Sequence, residues 1–316
     1  MDTLRKFIEK INREGQFSGE LRFDEPMSRH TTFKVGGKAD AWVRPAKDIF
    51  TAYAARLLEA AGEEGVPVFV LGGGANIVVS DGGIRGVVLD MGSWHGMDKP
   101  VKSEEEGAFS VRLLSGSSVD GIADQLAGEG LSGLEFLAGM PGSVGGAIWM
   151  NARCYEKSVS DVLVETEILD EDRREQVIPF RSDDFSYKKS PFQGRKVLIL
   201  SGSFKVNSRE PKEIHDEIAI YRRDRREKGH YRFPSAGSAF KNNRDFGDPT
   251  GRIIDQLGLR GFSVGGAQVA PWHGNIIINS GGATAADIKS LAAEVARRVK
   301  EERGLELETE ILFVGE

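Results

Sequence analysis

Residues 66–86 read VPVFVLGGGANIVVSDGGIRG and join a strand-like segment to a run of glycines. The first six residues are mostly apolar and β-branched, which predicts a short buried strand. Three glycines at 72–74 follow directly, so consecutive backbone N–H groups lie open, and such a concavity binds phosphate. Because the strand-like IVV (77–79) follows instead of a helix, the loop differs from the dinucleotide fingerprint. A tight turn between two strands is the alternative interpretation.

A second glycine cluster, GLEFLAGMPGSVGGAIWMNA, occupies residues 133–152. Its glycines alternate with small residues, and its proline pre-sets a rigid turn. A buried loop packed on a sheet would explain this pattern as well. However, two open loops exceed what a single phosphate needs, and they favour a dinucleotide such as FAD, which presents a pyrophosphate, a ribityl chain and a ring system.

Composition narrows the class of protein. The 316 residues are 40% hydrophobic and 28% charged, which is typical of a globular chain of about two domains. A net charge of −6 argues against a nucleic-acid partner. The single cysteine, Cys154, excludes an internal disulfide, and the histidines lack ligand spacing, so no catalytic metal is expected. No signal-like segment or apolar run of ~20 residues occurs, which predicts a cytoplasmic protein without a membrane partner.

Periodicity predicts the other elements. The final segment LELETEILFV (305–314) is expected to be a strand with Glu306, Glu308 and Glu310 on one face. Helices are expected at 2–14, 46–64, 119–129, 213–228 and from Thr284 to Gly304. Strands are expected at 33–45, 66–71, 77–79, 86–92, 109–114, 162–169, 175–180 and 197–206, and the last three should be antiparallel. Residues 128–147 are expected to form a loop.

Three further segments complete a family resemblance. They are MSRHTTFKVGGKAD at 27–40, PSAGSAFKN at 234–242 and ETEILFVGE at 308–316. Together with the two glycine segments, and in this order, they resemble the UDP-N-acetylenolpyruvoylglucosamine reductases, also called UDP-N-acetylmuramate dehydrogenases. The resemblance covers the chain from about residue 26 to its last residue.

The resemblance implies an α+β fold. An FAD-binding fold of the vanillyl-alcohol oxidase type is expected at 1–206, with subdomains at about 1–92 and 93–206. An α/β substrate-binding domain would follow at 207–304, and residues 305–316 would return to the active site as a strand. Because the segment MNARCYEKSVSD (150–161) leads directly into a predicted strand, the chain matches the shorter type that lacks a tyrosine-bearing loop.

The implied reaction reduces an enolpyruvyl ether on a UDP-sugar to a lactyl ether in peptidoglycan precursor synthesis. NADPH would be the co-substrate, FAD the non-covalent cofactor, and the protein a cytoplasmic monomer. Two alternatives stay open: an oxidase of the same FAD-binding fold, and a nucleotide-sugar binding protein that has lost catalysis. Bleaching of the flavin colour by NADPH would distinguish the reductase.

The resemblance also implies three catalytic residues. Ser238, in AGSAF, matches the family's proton donor, although by itself it reads as a turn serine. Glu310 matches a C-terminal glutamate; a carboxyl group at the edge of an apolar face can act as an acid, but an ordinary edge-strand residue is equally compatible. Lys188 stands where the family has arginine in Y-R-x-S, and it keeps the charge without the bidentate fork. Either Lys188 stabilises the developing enolate or a nearby arginine does.

The matching cofactor and substrate positions follow in the same way. Ala75 replaces a common serine, which removes one hydroxyl from the FAD loop. The helix at 213–228 carries four arginines, of which at least one is a candidate for the substrate diphosphate, and His30 is interpreted as structural. The cofactor positions are Gly72, Gly73, Gly74, Ala75, Asn76, Gly139, Met140, Pro141, Gly142, Ser143, Gly145, Gly146 and Ala147; the substrate positions are Tyr187, Lys228 and Asn242; the arginines are Arg222, Arg223, Arg225 and Arg226.

Overall fold

The computed structural model describes residues 2–14 and 16–316. The helices are α1 (Asp2–Glu14), α2 (Phe50–Glu64), α3 (Val119–Gly128), α4 (Val144–Trp149), α5 (Pro211–Glu227), α6 (Thr250–Gln256) and α7 (Ala285–Arg303). The strands are β1 (Gly19–Pro26), β2 (Lys38–Pro45), β3 (Val68–Leu71), β4 (Ile77–Val79), β5 (Ile84–Asp90), β6 (Val101–Lys102), β7 (Ala108–Leu114), β8 (Leu131–Ser132), β9 (Arg153–Cys154), β10 (Lys157–Ser158), β11 (Leu163–Leu169), β12 (Glu175–Pro179), β13 (Leu198–Ser208), β14 (Ser235–Ser238), β15 (Ser263–Val264), β16 (Ala267–Val269), β17 (Ile276–Asn279) and β18 (Leu312–Val314).

The chain forms two compact units, and each is built from separate stretches of sequence. Unit 1 comprises the chain up to Phe23, Ala41–Gly73 and Gly86–Arg223. Unit 2 comprises Asp24–Asp40, Gly74–Arg85 and Asp224–Glu316. These units follow contacts in space, whereas the domain bounds expected above follow the order of the sequence. The boundaries given above for the FAD-binding and substrate-binding domains therefore stay a prediction.

Unit 1 holds most of two larger sheets, and it also holds the two-stranded pair β9–β10. The order β1-β2-β5-β3 forms the first, and the apolar faces of α1 and α2 share its core. Helix α2 ends at Gly65, whose φ of 67° closes the last turn, as the sequence predicts. The second sheet has the order β12-β11-β13-β7-β6, and its β11, β12 and β13 are antiparallel, also as predicted. Helices α3 and α4 contribute to the core of this second sheet, which places the 133–152 segment against it.

Unit 2 contains the sheet β14-β17-β16-β15 and the parallel pair β18–β4. Helix α7 packs its apolar stripe into this core. The predicted start and end of α7 are confirmed: Thr284 and Asp287 form a capping box, and Gly304 ends the helix with φ 68°. Asp81 adds a cap that the sequence did not reveal, since its carboxylate accepts the first two amides of the helix at 2.8 and 2.9 Å.

Several predicted elements differ in extent from the observed ones; the helix predicted at 46–64, for example, begins only at Phe50. The strand expected at 33–45 begins only at Lys38, because Lys34 and Gly36 adopt positive φ angles of 55° and 126° that no strand tolerates. The loop expected at 128–147 ends in a helix: the Ser143 hydroxyl caps the amide of Gly146, and α4 follows.

A further correction concerns the C-terminal strand. Only Leu312–Val314 is a strand, and residue 309 makes no more than an isolated bridge with Phe240. The glutamate face expected from alternation is therefore not part of a strand. Glu306 and Glu308 are exposed, whereas Glu310 is half-buried.

Within the described ranges, every helix is too short or too polar to span a bilayer. The same residues contain no group of three or more histidine, cysteine, aspartate or glutamate side chains that could hold a metal ion.

Candidate active site

The two glycine loops meet in unit 1. A Cβ atom on Gly72 would lie 2.5 Å from Ser143 Oγ, and one on Gly73 would lie 2.6 Å from Gly142 Cα. Both separations are shorter than real Cβ contacts permit. Ser143 Oγ is the end of a side chain, whereas Gly142 Cα belongs to the backbone, so the close approach of the two loops requires glycine at position 73. Gly73 therefore allows backbone-to-backbone packing of two segments that are distant in sequence.

This meeting point leaves several amides unpaired. The N–H groups of Gly72, Gly73, Gly142 and Ser143 donate to no acceptor in the part of the chain that the structure describes. Gly72 and Gly73 are exposed, so their amides remain accessible from solvent. We call these four residues the amide cluster. Unpaired N–H groups that lie close together can bind an anion, so the amide cluster is compatible with a phosphate group such as those of FAD.

The second loop is anchored by an ion pair. Asp120 on α3 accepts the Gly139 amide at 2.5 Å and the Arg222 side chain at 2.6 and 2.9 Å. Arg222 also reaches Asp124, at 2.7 and 2.9 Å, and hydrogen bonds to Asp124 and Asp120 raise the pKa of Arg222 despite its partial burial. Arg222, one of the four candidates for the substrate diphosphate, thus supports the glycine loop.

Lys188 occupies a strained turn. Residues Ser186 and Lys189 exchange backbone hydrogen bonds across it, and Lys188 takes φ 58°, a conformation that favours glycine. The Lys188 side chain is half-buried with its Nζ 6.0 Å from the centre of the Tyr187 ring, whereas Lys189 is exposed. The two neighbouring lysines therefore differ in backbone conformation and in exposure.

The Lys188 turn is tied to the end of α4. Ser190 Oγ and Gln193 Nε2 donate to the Trp149 carbonyl at 2.7 and 2.9 Å, and Gln193 also donates to the Lys188 carbonyl at 3.1 Å. Asn151 Nδ2 donates to the Ser186 carbonyl at 2.9 Å. Unit 1 therefore joins two predicted features, the second glycine loop and Lys188, through four side-chain hydrogen bonds.

Ser238 lies in unit 2, at a polar cleft of about 220 Å³. It follows Gly237, whose φ of 73° turns the chain at the end of β14. Of the predicted substrate residues, Asn242 shares this cleft, and its Oδ1 accepts the Thr250 amide at 3.0 Å. The cleft is lined by Ser238, Asn242, Pro249, Gly251, Arg252, Asp255, His273 and Asn275.

Backbone pairing brings Glu310 beside Ser238. The Glu310 amide donates to the carbonyl of Ala239 at 2.8 Å, directly after Ser238. Asn76, a predicted cofactor residue, donates from Nδ2 to the Glu310 carbonyl at 3.0 Å. Unit 2 thus brings together three predicted residues that are far apart in the sequence.

The other predicted substrate residues lie outside the Ser238 cleft. Lys228 pairs with Asp224 at 2.8 Å at the end of α5, and its side chain is largely exposed. Tyr187 belongs to unit 1, next to Lys188, and its ring is exposed.

The histidines take structural positions. His30 contacts the buried carboxylate of Glu25 at 2.9 Å, which agrees with its interpretation as a hydrogen-bonding residue. His273 Nδ1 accepts the Asn275 amide at 3.1 Å, and burial lowers the pKa of His273. The His273 ring is therefore neutral at neutral pH, as its acceptor role requires.

Sequence reasoning missed Asp120, Asn151 and Asn275. Asp120 and Asn275 lie outside the sequence motifs, and Asn151 lies within the 133–152 segment but was not singled out. The role of each depends on a hydrogen-bond partner distant in sequence, which becomes visible only after folding.

Comparison with known proteins identifies the family. The model for the UDP-N-acetylenolpyruvoylglucosamine reductase C-terminal domain matches residues 229–314, and an FAD-binding domain model matches residues 51–175. A reductase of that name from Treponema denticola is 39% identical over 94% of both chains. Another, from Geobacter metallireducens, is 40% identical over 95% of this chain and 96% of its own.

The solved structure of the Thermus caldophilus reductase aligns with a TM-score of 0.76 and 32% identity, covering 95% of this chain and all of that one. The predicted fold class, with its FAD-binding part, is confirmed by these matches. The family resemblance seen in the sequence motifs is confirmed as well. The chain belongs to the UDP-N-acetylenolpyruvoylglucosamine reductase family and is an FAD-dependent oxidoreductase of peptidoglycan synthesis.

Proposed function

We propose that this protein catalyses the NADPH-driven reduction of UDP-N-acetylglucosamine enolpyruvate to UDP-N-acetylmuramate. The observation that carries the proposal is the amide cluster, a partly exposed candidate anion site at the junction of the two family glycine loops. The names of the relatives supply the substrate class, a UDP-sugar carrying an enolpyruvyl ether.

The two loops would hold FAD without a covalent link, because neither contains a histidine or cysteine. The amide cluster would bind the pyrophosphate, with the residues at 72–76, 139–143 and 145–147 forming the rest of the site. When bound, FAD supplies hydride transfer from NADPH to the enolpyruvyl carbon.

Ser238 would give the proton that completes the reduction. A serine hydroxyl is a weak acid, so it depends on nearby groups that stabilise its deprotonated form. Glu310 supports this role because its backbone is bonded to the residue after Ser238. Lys188 would stabilise the negative charge that develops on the substrate carboxylate, and its strained, half-buried position favours this role over that of its exposed neighbour.

Asn242, Lys228 and Tyr187 would bind the UDP-sugar, and the position of Asn242 in the Ser238 cleft supports its part. We further propose that the enzyme acts as a cytoplasmic monomer, in keeping with a reaction that uses NADPH and a nucleotide-sugar. Sedimentation velocity of the FAD-loaded protein tests the monomer; a dimer at micromolar concentration would contradict it.

Stopped-flow measurement of Ser238→Ala tests the central assignment. Bleaching of the flavin by NADPH should stay within about threefold of the parent, because that half-reaction needs no proton from Ser238. Recovery of the flavin absorbance with the enolpyruvyl substrate should slow by about 10²–10⁴-fold, the usual worth of general acid catalysis. Equal losses in both half-reactions would show that Ser238 is structural, and a protein that takes up no FAD would overturn the proposed function itself.

A further inference from the structure

The backbone around Ser238 is not held by a regular sheet. Strand β14 pairs with β17 at Ser235–Ile278 and Ser238–Ile276, with a register shift between the two pairs. The bulge follows from Gly237, whose positive φ turns the strand. After Ser238 the ladder with β17 ends, so the residues that follow need other partners for their backbone groups.

Asn275 provides those partners. Its side-chain Oδ1 accepts the amide of Phe240 at 2.9 Å, and its Nδ2 donates to the carbonyl of the same residue at 2.8 Å. The backbone carbonyl of Asn275 also accepts the amide of Ala239 at 2.8 Å. One asparagine thus takes the place of a missing strand neighbour for the two residues after Ser238.

The asparagine is itself fixed. Asn275 is 3% exposed, and its amide donates to His273 Nδ1 at 3.1 Å. On the other side of the segment, the Glu310 amide donates to the carbonyl of Ala239 at 2.8 Å. Both backbone groups of Ala239 and both of Phe240 are therefore bonded, which makes the segment carrying Ser238 rigid.

We propose that Asn275 is a positioning residue that sets the direction of the Ser238 hydroxyl in the cleft. The inference rests on the proposed function, in which Ser238 gives a proton. Proton transfer requires donor and acceptor to approach within hydrogen-bond distance, and a displacement of about 1 Å can cost a rate factor near 10². An asparagine that clamps the next residues at both backbone groups suppresses such displacements.

The chain offers a matched control at the other end of the same strand. Asn279 also bonds backbone groups through its side chain, donating to Phe33 at 3.2 Å and accepting from Gly281 and Ala283 at 3.1 Å each. Its own amide bonds to Pro234, before the bulge. Loss of the Asn279 side chain should therefore lower stability without releasing Ser238.

The experiment compares both half-reactions in the FAD-loaded enzyme for Asn275→Ala, Asn279→Ala, Ser238→Ala and the double variant of Ser238 and Asn275. Asn275→Ala should slow re-oxidation by the enolpyruvyl substrate about 10- to 100-fold and leave reduction by NADPH within about threefold. Asn279→Ala should lower Tm and leave both half-reactions within about threefold. In the Ser238→Ala background, Asn275→Ala should add less than about threefold, because the group it positions is gone.

A second variant separates positioning from folding. Asn275→Asp keeps the side-chain shape, but its ionised form cannot donate to the Phe240 carbonyl. Protonation restores a donor, so the re-oxidation rate of this variant should rise relative to the parent as pH falls. If the alanine variant does not fold, this pH profile carries the test.

The outcomes are distinct. Equal slowing by Asn275→Ala in both half-reactions, a multiplicative loss in the double variant, or an unchanged pH profile for Asn275→Asp would overturn the role of Asn275. If Ser238→Ala itself leaves re-oxidation intact, the proposed role of Ser238 fails first, and the inference about Asn275 falls with it.

Discussion

The amide cluster of unit 1 and residues 238–240 of unit 2, called the Ser238 segment below, use the backbone in opposite ways. At the amide cluster, four N–H groups have no acceptor among the described residues. At the Ser238 segment, the next two residues have every backbone group bonded. Unpaired donors are costly in a buried loop but useful at an exposed anion site, whereas a fully bonded backbone immobilises a side chain.

The two regions are therefore expected to be sensitive to different kinds of mutation. The amide cluster works through the main chain, so its side chains matter only when they obstruct the approach of the two loops. The Ser238 segment works through side chains, and its backbone matters because it aims them. Substitutions in the two regions should therefore damage different measurable properties, FAD affinity in one and the rate of a single half-reaction in the other.

Among the variants of unit 1, the largest expected effect concerns Lys188, because it brings side-chain chemistry into that unit. Lys188→Ala should slow re-oxidation about 10²–10³-fold, the usual loss when a preorganised charge is removed. Lys188→Arg should keep or raise the re-oxidation rate, since a guanidinium can donate two parallel hydrogen bonds to a carboxylate. Lys189→Ala, which changes the exposed neighbour, is the control and should stay near the parent. A rate within about threefold for Lys188→Ala would remove Lys188 from the mechanism and favour an arginine.

Gly73→Ala tests the backbone side of the comparison. The added Cβ would lie 2.6 Å from Gly142 Cα, a backbone atom that cannot rotate away. Overpacking of this kind costs about 1–3 kcal/mol, so the FAD dissociation constant should rise roughly 10- to 100-fold by fluorescence titration of the apoprotein.

Gly62→Ala is the control for this change. Gly62 lies in α2 with nothing within 4 Å of its added Cβ, so alanine there should stabilise the helix by up to about 1 kcal/mol without altering FAD affinity. Unchanged FAD binding in Gly73→Ala would refute the close approach of the two loops as the basis of the site.

The next expected effect is a loss of folding stability in acid that arises in unit 2, where His230 lies. Burial, with Arg225 and His273 nearby, lowers the pKa of His230 from 6.5 to about 4. The folded state therefore binds fewer protons than the unfolded state between these values, and stability present above pH 6.5 is lost as pH falls toward 4.

His230→Gln should reduce the acid-dependent loss in the free energy of unfolding by about 1–2 kcal/mol. This is less than the full pKa shift of His230 implies, because the ring is partly exposed. Tm measured from pH 7 to pH 4.5 checks the slope, with the exposed His215→Gln as the control. Parallel Tm profiles for His230→Gln and the parent would contradict the assignment.

The smallest expected effect is that of Arg222→Ala. The Arg222–Asp120 pair is half-exposed and supports the Gly139 amide from outside the loop. Such pairs contribute about 1 kcal/mol or less, so FAD affinity should fall only two- to fivefold. Substitution of the exposed Arg226 on the same helix is the control. If Arg222→Ala instead lowered only the affinity for the UDP-sugar, this would show that Arg222 binds the substrate diphosphate.

Local signals in the sequence predicted much of this molecule correctly. The glycines at 72–73 and 142, the capping box and apolar stripe of α7, and the antiparallel strands β11 to β13 follow from residue type and spacing. Errors arose where local signals conflict. Alternation at 305–311 is typical of a strand, but these residues lack a continuous neighbour to pair with. Helix α4 was missed because glycines in its first turn disguise a good Ser143 cap.

Residue types alone indicated two glycine loops and a candidate anion site, because backbone freedom is a local property, whereas the role of Ser238 as a proton donor was implied by the family resemblance. Only folding determined that Gly73 packs against Gly142, that Asp120 rather than a phosphate receives Arg222, and that Asn275 closes the bulge after Ser238. These three facts depend on which distant residues the fold brings into contact. Contacts between residues far apart in the chain are a property of the folded molecule, so no local pattern in the sequence reveals them.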